Sequence, residues 1–591
     1  MKSKKSIIYN IILVMIIVVG LSSIIYCFTV KKEGWHSDEV WSYGFANSYY
    51  EKDIFQNYDG TERNVNEWVD GSVLRDYVEV NDGEQFKFDS VYNNQVEDLS
   101  PPLHSMILHA ICSLFPDTFS WWYSFAINIA AYIITMIYLY KVCVVLKNEK
   151  LGLICSFMYG ISLAARDTYI YLRMYAMCTA LTMVYLYNVV RWLKRDNSQR
   201  IITKNLIGVF VATLLMFWTH YYMISLVGVM TLCICLGLFC RKQIKNALIY
   251  GGIQFASLAV SLGLFPSVIK MFSSHQDSMS TYVETTTSNV HFSVKIRILF
   301  NFIFYKLFGF YIPVTNDLLW LRTIILATIM IIIILLPLAF LLRDTKLIAN
   351  IRLLVKKIWK KITALFVSSE KIYIALIVTI ACQIVVVAQT SQVYEMGYAE
   401  NRYLMYIYPL VTLLIGIVIY DLVRLIKKRK TAIVSLAVVL TGVFVINVVT
   451  RQRDTDYYLK ENIKGTPIEH VVENKDSIFI GSENWSIVYM TPVLLDSKMY
   501  FQTSMGKYKL YKKEYEDVNK DDVVLIVDVT RLKSTIGIAK MVENGDEILK
   551  KVQKEYDDVL QFYKEIYSSN TVEKVSEQKV FGRAMEAYVF R

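Results

Sequence analysis

The sequence predicts an α-helical polytopic membrane protein that carries a C-terminal α/β domain outside the membrane. Of the 591 residues, 54% are hydrophobic, and the mean hydropathy is +0.36. Many apolar runs reach the length of about 20 residues that a helix needs to cross the hydrocarbon core of a bilayer. Residues 450–591 are polar instead and combine strand-like runs with a long helical pattern.

About eleven spans are predicted if the N-terminus is cytoplasmic. The first run, residues 7–29, follows Lys2, Lys4 and Lys5 and has no small-residue cleavage pattern, so it predicts a retained anchor. Apolar stretches at 102–115 and 301–314 are too short to cross and predict helices that lie at the outer interface. The other predicted spans are 119–146, 151–166, 173–193, 203–219, 222–240, 247–270, 319–342, 372–390, 403–425 and 430–449.

The formal net charge of +11 indicates topology and does not indicate a nucleic-acid partner. The positive residues lie in short loops between spans, and eleven spans place every such loop in the cytoplasm, as the positive-inside rule requires. The C-terminus is then extracytoplasmic in a multi-pass cell-membrane protein. The basic loops are residues 147–150, 191–204, 241–245, 343–371 and 427–430.

Two polar segments define the predicted domain organisation. Residues 31–118 form an outer loop within a transmembrane domain of residues 1–449, and residues 450–591 form the extracytoplasmic domain. Strands are predicted at 477–481, 523–527 and 587–590, with a helix at 541–566. No cysteine lies between residues 28 and 111 or after residue 382, so no disulfide framework is predicted.

Candidate chemistry lies at the outer ends of the spans. Ionisable residues at membrane depth are functional hypotheses, and the acidic pair Asp38 and Glu39 directly follows the first span. The sequence has no P-loop and no Gly-rich dinucleotide fingerprint, so a reaction outside the cell needs an activated donor that the lipid delivers. A polyprenyl-phosphate sugar fits, because its anionic leaving group needs a cationic side chain and the acceptor hydroxyl needs a general base. The charged residues at these ends are Asp38, Glu39, Arg166, Asp167, Arg173, His220, Glu400 and Arg402.

Five motifs follow one another along the chain: HSDEVWSY at 36–43, DLSPPLH at 98–104, LRMYA at 172–176, THYY at 219–222 and ENRYL at 400–404. In this order they resemble the GT-C superfamily of polytopic glycosyltransferases, close to the bacterial relatives of the protein O-mannosyltransferases and lipid A aminoarabinose transferases. The resemblance covers about residues 1–450. Relatives more often carry a Ser-Gln-Glu-like run where residues 166–169 are RDTY.

The resemblance implies an inverting transfer of a hexosyl or pentosyl group from a polyprenyl-phospho-sugar to a glycan, lipid or protein. Asp38 would be the general base, and Glu39 would orient it or bind the acceptor. Arg173, His220 and Arg402 would hold the donor phosphate. No metal site is predicted, and a requirement for a divalent metal stays open. The resemblance implies a substrate cavity lined by Asp98, Pro101, Pro102, His104, Tyr175, Tyr221, Tyr222 and Tyr403.

Other interpretations of the same residues stay open. Asp38 could be a solvated carboxylate or a helix N-cap, Asp98 could cap the helix after Pro101, and Arg173 could reach lipid phosphates. A flippase or transporter for lipid-linked sugars would explain the spans, although such proteins are expected to show broken helices and charges at the bilayer midplane. A non-catalytic glycan-binding membrane protein is the third alternative.

Overall fold

The computed structural model describes residues 4–194, 204–270, 292–309, 372–390, 399–425, 442, 462–539 and 545–591. The predicted span at 319–342, the basic loops at 343–371 and 427–430, and nearly all of the predicted span at 430–449 lie outside these residues. The chain divides into two compact units. The helical unit comprises Met1–Ser22, Ala130–Thr168 and Tyr175–Asp454, and the sheet unit comprises Ser23–Ile129, Tyr169–Met174 and Thr455–Arg591.

Within the described part of the chain, six helices are long and apolar enough to cross a membrane. The prediction of an α-helical polytopic membrane protein is confirmed. Apolar side chains of the first helix remain uncovered by protein: Val14 is 57% exposed and Val18 is 54% exposed, as expected of lipid-facing positions. The six segments are Ser6–Lys31, Trp121–Leu146, Tyr222–Cys240, Ile244–Leu264, Tyr373–Thr390 and Asn401–Tyr420.

The predicted single span at 151–166 is wrong, because two helices occupy this region. The first ends at Gly160 and the second begins at Leu163. Ser162 explains the break, since its hydroxyl donates to the Tyr159 carbonyl at 2.7 Å and accepts the Ala165 amide at 3.2 Å. A serine that bonds backbone groups on both sides ends one helix and caps the next.

The remaining helices outside the polar segments follow the predicted pattern with shifted ends. The predicted span at 203–219 is a helix of 14 residues, and the helix predicted at 301–314 begins earlier, at Phe292. These helices are Lys4–Tyr26, continued by a π-helical turn Cys27–Lys31, then Tyr175–Leu193, Lys204–Phe217, Phe292–Phe308 and Tyr408–Leu425, which follows the 3-10 segment Ala399–Ile407. The pair that replaces the predicted span at 151–166 is Glu149–Gly160 and Leu163–Ile170.

The sheet unit is built on seven strands in the order β1-β4-β3-β5-β7-β6-β2. β3, β4 and β5 are parallel, and the other pairs are antiparallel. The predicted strands at 477–481, 523–527 and 587–590 are therefore confirmed within longer elements. The strands are β1 Trp68–Asp70, β2 Lys464–Gly465, β3 Asp476–Gly481, β4 Met499–Ser504, β5 Val523–Asp528, β6 Val572–Val580 and β7 Arg583–Phe590.

Both faces of this sheet are covered, which explains why the strand segments 478–480 of β3 and 523–527 of β5 are continuous apolar runs. Side chains alternate between two cores: Ile478 and Leu525 belong to one, whereas Phe479 and Ile526 belong to the other. The first core is completed by the long amphipathic helix Gly545–Ile566, which buries Val552, Tyr556, Val559 and Tyr563.

The second core is completed by helices of residues 31–118, so this segment and the C-terminal segment share one hydrophobic core. Val40, Tyr43 and Ala46 of helix Ser37–Asn47 pack into it. The same segment also supplies β1, which pairs with β4 antiparallel. The other helices of the sheet unit are Ser72–Val78, Phe88–Asp98, Leu103–Cys112, Ile468–Val471, Ser486–Leu494, Lys512–Glu516 and Thr530–Ala539.

Candidate active site

Helix Ser37–Asn47 begins in a capping box. His36 is extended, and its Nδ1 accepts the Asp38 amide at 3.1 Å, while the Glu39 carboxylate accepts the His36 amide at 2.8 Å. Each side chain thus satisfies a backbone donor that the first helical turn leaves unpaired. Two carboxylates in the first turn also suit the positive end of the helix dipole. The sequence motif therefore fixes where the helix starts and where Asp38 stands.

Glu39 is fully buried and surrounded by donors. Its Oε1 accepts the Leu172 amide at 2.9 Å and pairs with the ammonium group of Lys32. Lys32 also donates to the Ile170 carbonyl at 3.1 Å and lies over the Trp35 ring at 4.5 Å. Burial lowers the pKa of Lys32, and the charge of Glu39 opposes that shift. Glu39 therefore ties the end of the first span to residues 169–174, and no lone pair of its Oε1 points to solvent.

Asp38 has the more accessible carboxylate of the pair. Its Oδ2 accepts the Tyr171 hydroxyl at 2.8 Å, and its side chain is 17% exposed. Its Oδ1 lies 3.6 Å from the His36 Nδ1. That nitrogen already accepts an amide proton, so it offers the carboxylate no proton of its own. Asp38 thus presents an oriented acceptor oxygen at a helix N-terminus.

Arg173 places a fixed positive charge beside this helix. Its Nη1 donates to the Asp38 carbonyl and to the Ser42 hydroxyl, both at 3.1 Å. Arg173 is half-buried. These contacts are specific, so Arg173 is held by the helix and does not simply extend toward lipid head groups.

The positive charge of Arg173 acts to lower the pKa of both Asp98 and His104. Burial raises the pKa of Asp98 to about 6, against the hydrogen bond from Ser100 and the charge of Arg173. Burial, reinforced by Arg173, lowers the pKa of His104 to about 3, so this imidazole is neutral near pH 7. Its Nε2 is buried without a hydrogen-bond partner among the residues that the structure describes.

The segment between Asp98 and His104 is a tight connection between two helices. Asp98 is the last residue of helix Phe88–Asp98, and Leu99 follows with φ +58°. Pro101 and Pro102 are buried, and Pro102 is the N-cap of helix Leu103–Cys112. Pro102, and not Asp98, therefore caps the helix that follows the prolines. The interpretation of Asp98 as that cap is wrong.

The helical unit contains the other predicted residues in an aromatic cluster. The Tyr175 and His220 rings are 5.3 Å apart, and Tyr403 lies 6.0 Å from Tyr175 and 5.2 Å from Tyr222. His220 accepts the Tyr222 amide through Nδ1 at 3.2 Å. The guanidinium group of Arg402 lies 5.0 Å from the centre of the Tyr403 ring. Tyr221, at the N-cap of helix Tyr222–Cys240, is half-buried.

A buried ionic network occupies the same unit. The Asp167 carboxylate pairs with Lys306 at 2.7 Å and accepts the Asn401 amide at 3.1 Å. Asn401 in turn accepts the Tyr408 hydroxyl. The Asp167 and Lys306 side chains are at most 2% exposed. Asp167 therefore joins helices as part of a satisfied network, which is how a charge is tolerated at such a position.

No group of three or more His, Cys, Asp or Glu side chains that could hold a metal ion occurs among the described residues. The described free cysteines include Cys233, Cys235 and Cys240, none of which is in such a group.

Sequence reasoning missed Tyr171, Lys32 and the capping box in which the His36 side chain accepts the Asp38 amide and the His36 amide donates to Glu39. Tyr171 and Lys32 adjoin recognised features, the motif at 172–176 and the end of the first span. A tyrosine next to a motif arginine and a lysine at a span end are common interface residues, so composition alone gave no reason to single them out. The capping box was recognisable in principle, because an acid three residues after a polar cap is its signature.

Comparisons with known proteins give a likeness at the level of solved structures. No protein-family model and no curated protein sequence matches the chain. The chain is similar to the archaeal oligosaccharyltransferase AglB from Archaeoglobus fulgidus, in complex with an inhibitory peptide and a dolichol-phosphate, with 10% identity, TM-score 0.47 and coverage of 94% of this chain and 73% of AglB. It is also similar to ArnT from Cupriavidus metallidurans bound to undecaprenyl phosphate, with 9% identity, TM-score 0.46 and coverage of 99% and 98%.

Both likenesses are likenesses of fold.

Proposed function

We propose that the chain is a membrane glycosyltransferase that moves a sugar from a polyprenyl-phosphate-linked donor to an acceptor at the outer face of the membrane. The observation that carries this proposal is the Asp38 carboxylate, oriented by the Tyr171 hydroxyl, together with the guanidinium group of Arg173, which donates to the Asp38 backbone carbonyl. An oriented carboxylate can serve as a base, and a cation held on the same helix can stabilise an anionic leaving group.

Asp38 acts as the general base. It takes the proton of the acceptor hydroxyl while the acceptor oxygen forms a bond to the anomeric carbon of the sugar. The bond between that carbon and the phosphate oxygen breaks, and polyprenyl phosphate leaves with the electron pair. One displacement of this kind inverts the anomeric configuration. The 17% exposure of the Asp38 side chain is compatible with access by a hydroxyl group.

Glu39 acts as a positioning residue in this mechanism. Its carboxylate bonds the amides of His36 and Leu172 and pairs with Lys32. Those contacts hold the helix that carries Asp38 against the segment that carries Arg173 and Tyr171. Of the two roles that the resemblance implies for Glu39, the buried geometry supports orientation of the base.

The neutral imidazole of His104 and the carboxyl group of Asp98 line the same region and suit a sugar. The His104 Nε2 has no protein partner within the described residues and can bond a hydroxyl group. Asp98, with a pKa of about 6, can accept or donate a hydrogen bond near neutral pH. Arg173, Arg402 and His220 are proposed ligands of the donor phosphate; a guanidinium group matches phosphate geometry.

The proposed orientation places the N-terminus in the cytoplasm and the sheet-bearing C-terminal region outside the cell. The described basic loops at 147–150 and 241–245 support it, because positive residues next to spans favour the cytoplasmic side. The outer face then meets the acidic pair Asp38 and Glu39 directly after the first span.

Turnover of radiolabelled donors tests the proposal. Purified full-length protein is incubated with polyprenyl-phosphate hexoses and pentoses, and release of labelled sugar to water, standing in for the acceptor, is measured beside donor binding. Asp38→Asn should reduce release at least 100-fold and leave donor binding intact, because loss of a general base costs on the order of 10²–10⁴ in rate. Asp82→Asn, at an exposed loop position, is the matched control and should behave as wild type.

Equal release by the Asp38→Asn variant and the wild type would refute Asp38 as the base. Movement of labelled donor across reconstituted vesicles, with no release by any variant, would favour a lipid-linked sugar transporter. Donor or glycan binding without release or movement would favour a non-catalytic binding protein.

A further inference from the structure

The hairpin between β6 and β7 ends in an unusual turn. Val580 pairs with Arg583, so only two residues connect the strands. Both have positive φ, +50° for Phe581 and +74° for Gly582, as the mirror-image hairpin turns require. Glycine adopts this conformation readily, whereas a large aromatic residue is strained in it. The hairpin holds Phe581 in a costly backbone conformation, which points to a task for its side chain.

The Phe581 ring lies against the residue that caps the Asp38 helix. Its centre is 4.7 Å from the centre of the His36 ring, and the rings meet edge to face at 80°. The Tyr171 ring lies 5.5 Å from His36 at 75°. His36 thus contacts two aromatic rings, one from residues 169–174 and one from the C-terminal hairpin. Phe581 is itself packed on Tyr489, at 5.8 Å.

His36 and Tyr171 both orient Asp38. The His36 Nδ1 accepts the Asp38 amide, and the Tyr171 hydroxyl donates to the Asp38 carboxylate. Rotation of the imidazole would release that amide and loosen the first helical turn. The Phe581 ring blocks such a rotation from one side.

We propose that Phe581 is a positioning residue for Asp38, acting through His36. The inference rests on the proposed function, in which Asp38 is the base. The C-terminal region, for which the sequence suggested no activity, thereby contributes to the reaction without touching substrate. Small displacements of a catalytic group cost large factors in rate, so loss of the ring should act on turnover rather than on donor affinity.

The experiment compares three full-length variants. Phe581→Ala removes the ring, Phe581→Tyr keeps it, and Phe562→Ala removes another half-buried phenylalanine of the same unit, one that packs on Tyr508, Tyr515 and Tyr563. Two quantities are measured: kcat and KM for release of labelled sugar from the donor, and amide hydrogen exchange over helix Ser37–Asn47.

Phe581→Ala should lower kcat about 10-fold with KM unchanged, and should speed exchange in the first turn of the helix. Phe581→Tyr should keep both kcat and the exchange rate of the first turn at their wild-type values. Phe562→Ala should change neither quantity. The inference is overturned if an active wild type and Phe581→Ala have the same kcat, if exchange in the first turn is unchanged, or if Phe562→Ala reproduces both effects. A wild-type protein without Asp38-dependent release refutes the proposed function itself, and the inference with it.

Discussion

Asp38 and Glu39 are neighbours in sequence, yet we expect their neutral variants to lose different properties: stability for Glu39→Gln and turnover for Asp38→Asn. Glu39→Gln should destabilise the protein because Glu39 is fully buried and bonded to His36, Leu172 and Lys32. Asp38→Asn should abolish turnover with little loss of stability, because the side chain is partly exposed and an amide oxygen can still accept the Tyr171 hydroxyl.

The cost of Glu39→Gln follows from the groups that it leaves behind. Removing one member of a buried ion pair costs about 3–5 kcal/mol, since the remaining charge is buried without a partner. Lys32 reduces that cost, because burial already lowers its pKa and it keeps the Ile170 carbonyl and the Trp35 ring. The new amide group must also face at least one of three donors. We therefore expect a loss of about 3 kcal/mol for Glu39→Gln and under about 1 kcal/mol for Asp38→Asn.

Thermal unfolding of the purified variants, followed by tryptophan fluorescence, measures the difference. At about 2–4 °C for each kcal/mol in a domain of this size, Glu39→Gln should lower Tm by roughly 6–12 °C, and Asp38→Asn by less than about 4 °C. Adding Lys32→Met to Glu39→Gln should recover part of the loss, because the unpaired charge is then gone. A Glu39→Gln protein as stable as Asp38→Asn would refute the structural role of the buried pair.

Three further substitutions test the same region. Tyr171→Phe removes the hydrogen bond to Asp38 and should lower kcat for sugar release about 10-fold with donor KM unchanged. Gly44→Ala should lower Tm despite the better helix propensity of alanine, because an added Cβ would lie 2.0 Å from the buried Tyr77 ring. Asp98 has a pKa raised from 3.8 to about 6, so the folded protein binds the extra proton and wild-type stability falls as the pH rises from about 4 to 6. Asp98→Asn should remove this dependence, matching wild type below pH 4 and exceeding it above pH 6 by at most about 3 kcal/mol in unfolding experiments against pH.

Sequence reasoning predicted best the elements whose surroundings are apolar on every side. Apolar runs such as 119–146 and 222–240 match helices Trp121–Leu146 and Tyr222–Cys240 closely, because lipid and protein both favour an apolar surface there. The strands at 477–481 and 523–527 were equally clear, since both faces of the sheet are covered and their residues are nearly all apolar.

The pairing of distant segments was not predictable. β1 lies within residues 31–118 and pairs with β4 more than 400 residues away, and neither strand shows a pattern that identifies its partner. The three residues of β1 are too few for any periodicity. Sequence reasoning therefore assigned residues 31–118 and 450–591 to separate domains, although the two segments share a sheet and a core.

Sequence reasoning selected charged residues of the candidate site and missed the side chains that support them. The resemblance singled out Asp38 and Arg173, and the structure joins them through the Asp38 carbonyl. A charge next to a span looks the same in sequence whether it is solvated or buried, so the pairing of Lys32 with Glu39 had no signal. Burial of a charge depends on tertiary contacts, here with residues 169–174, that only the fold supplies.

The C-terminal region therefore supports the helix that carries Asp38. The helix that carries Asp38 buries Val40, Tyr43 and Ala46 in a core to which β3, β5 and helix Ser486–Leu494 also contribute side chains. Loss of those elements would expose part of this apolar face, and an isolated helix of 11 residues is marginal in water. A base held to within hydrogen-bond distance of its partners needs a rigid support. That support is the sheet, so the C-terminal region belongs to the structural basis of the proposed reaction.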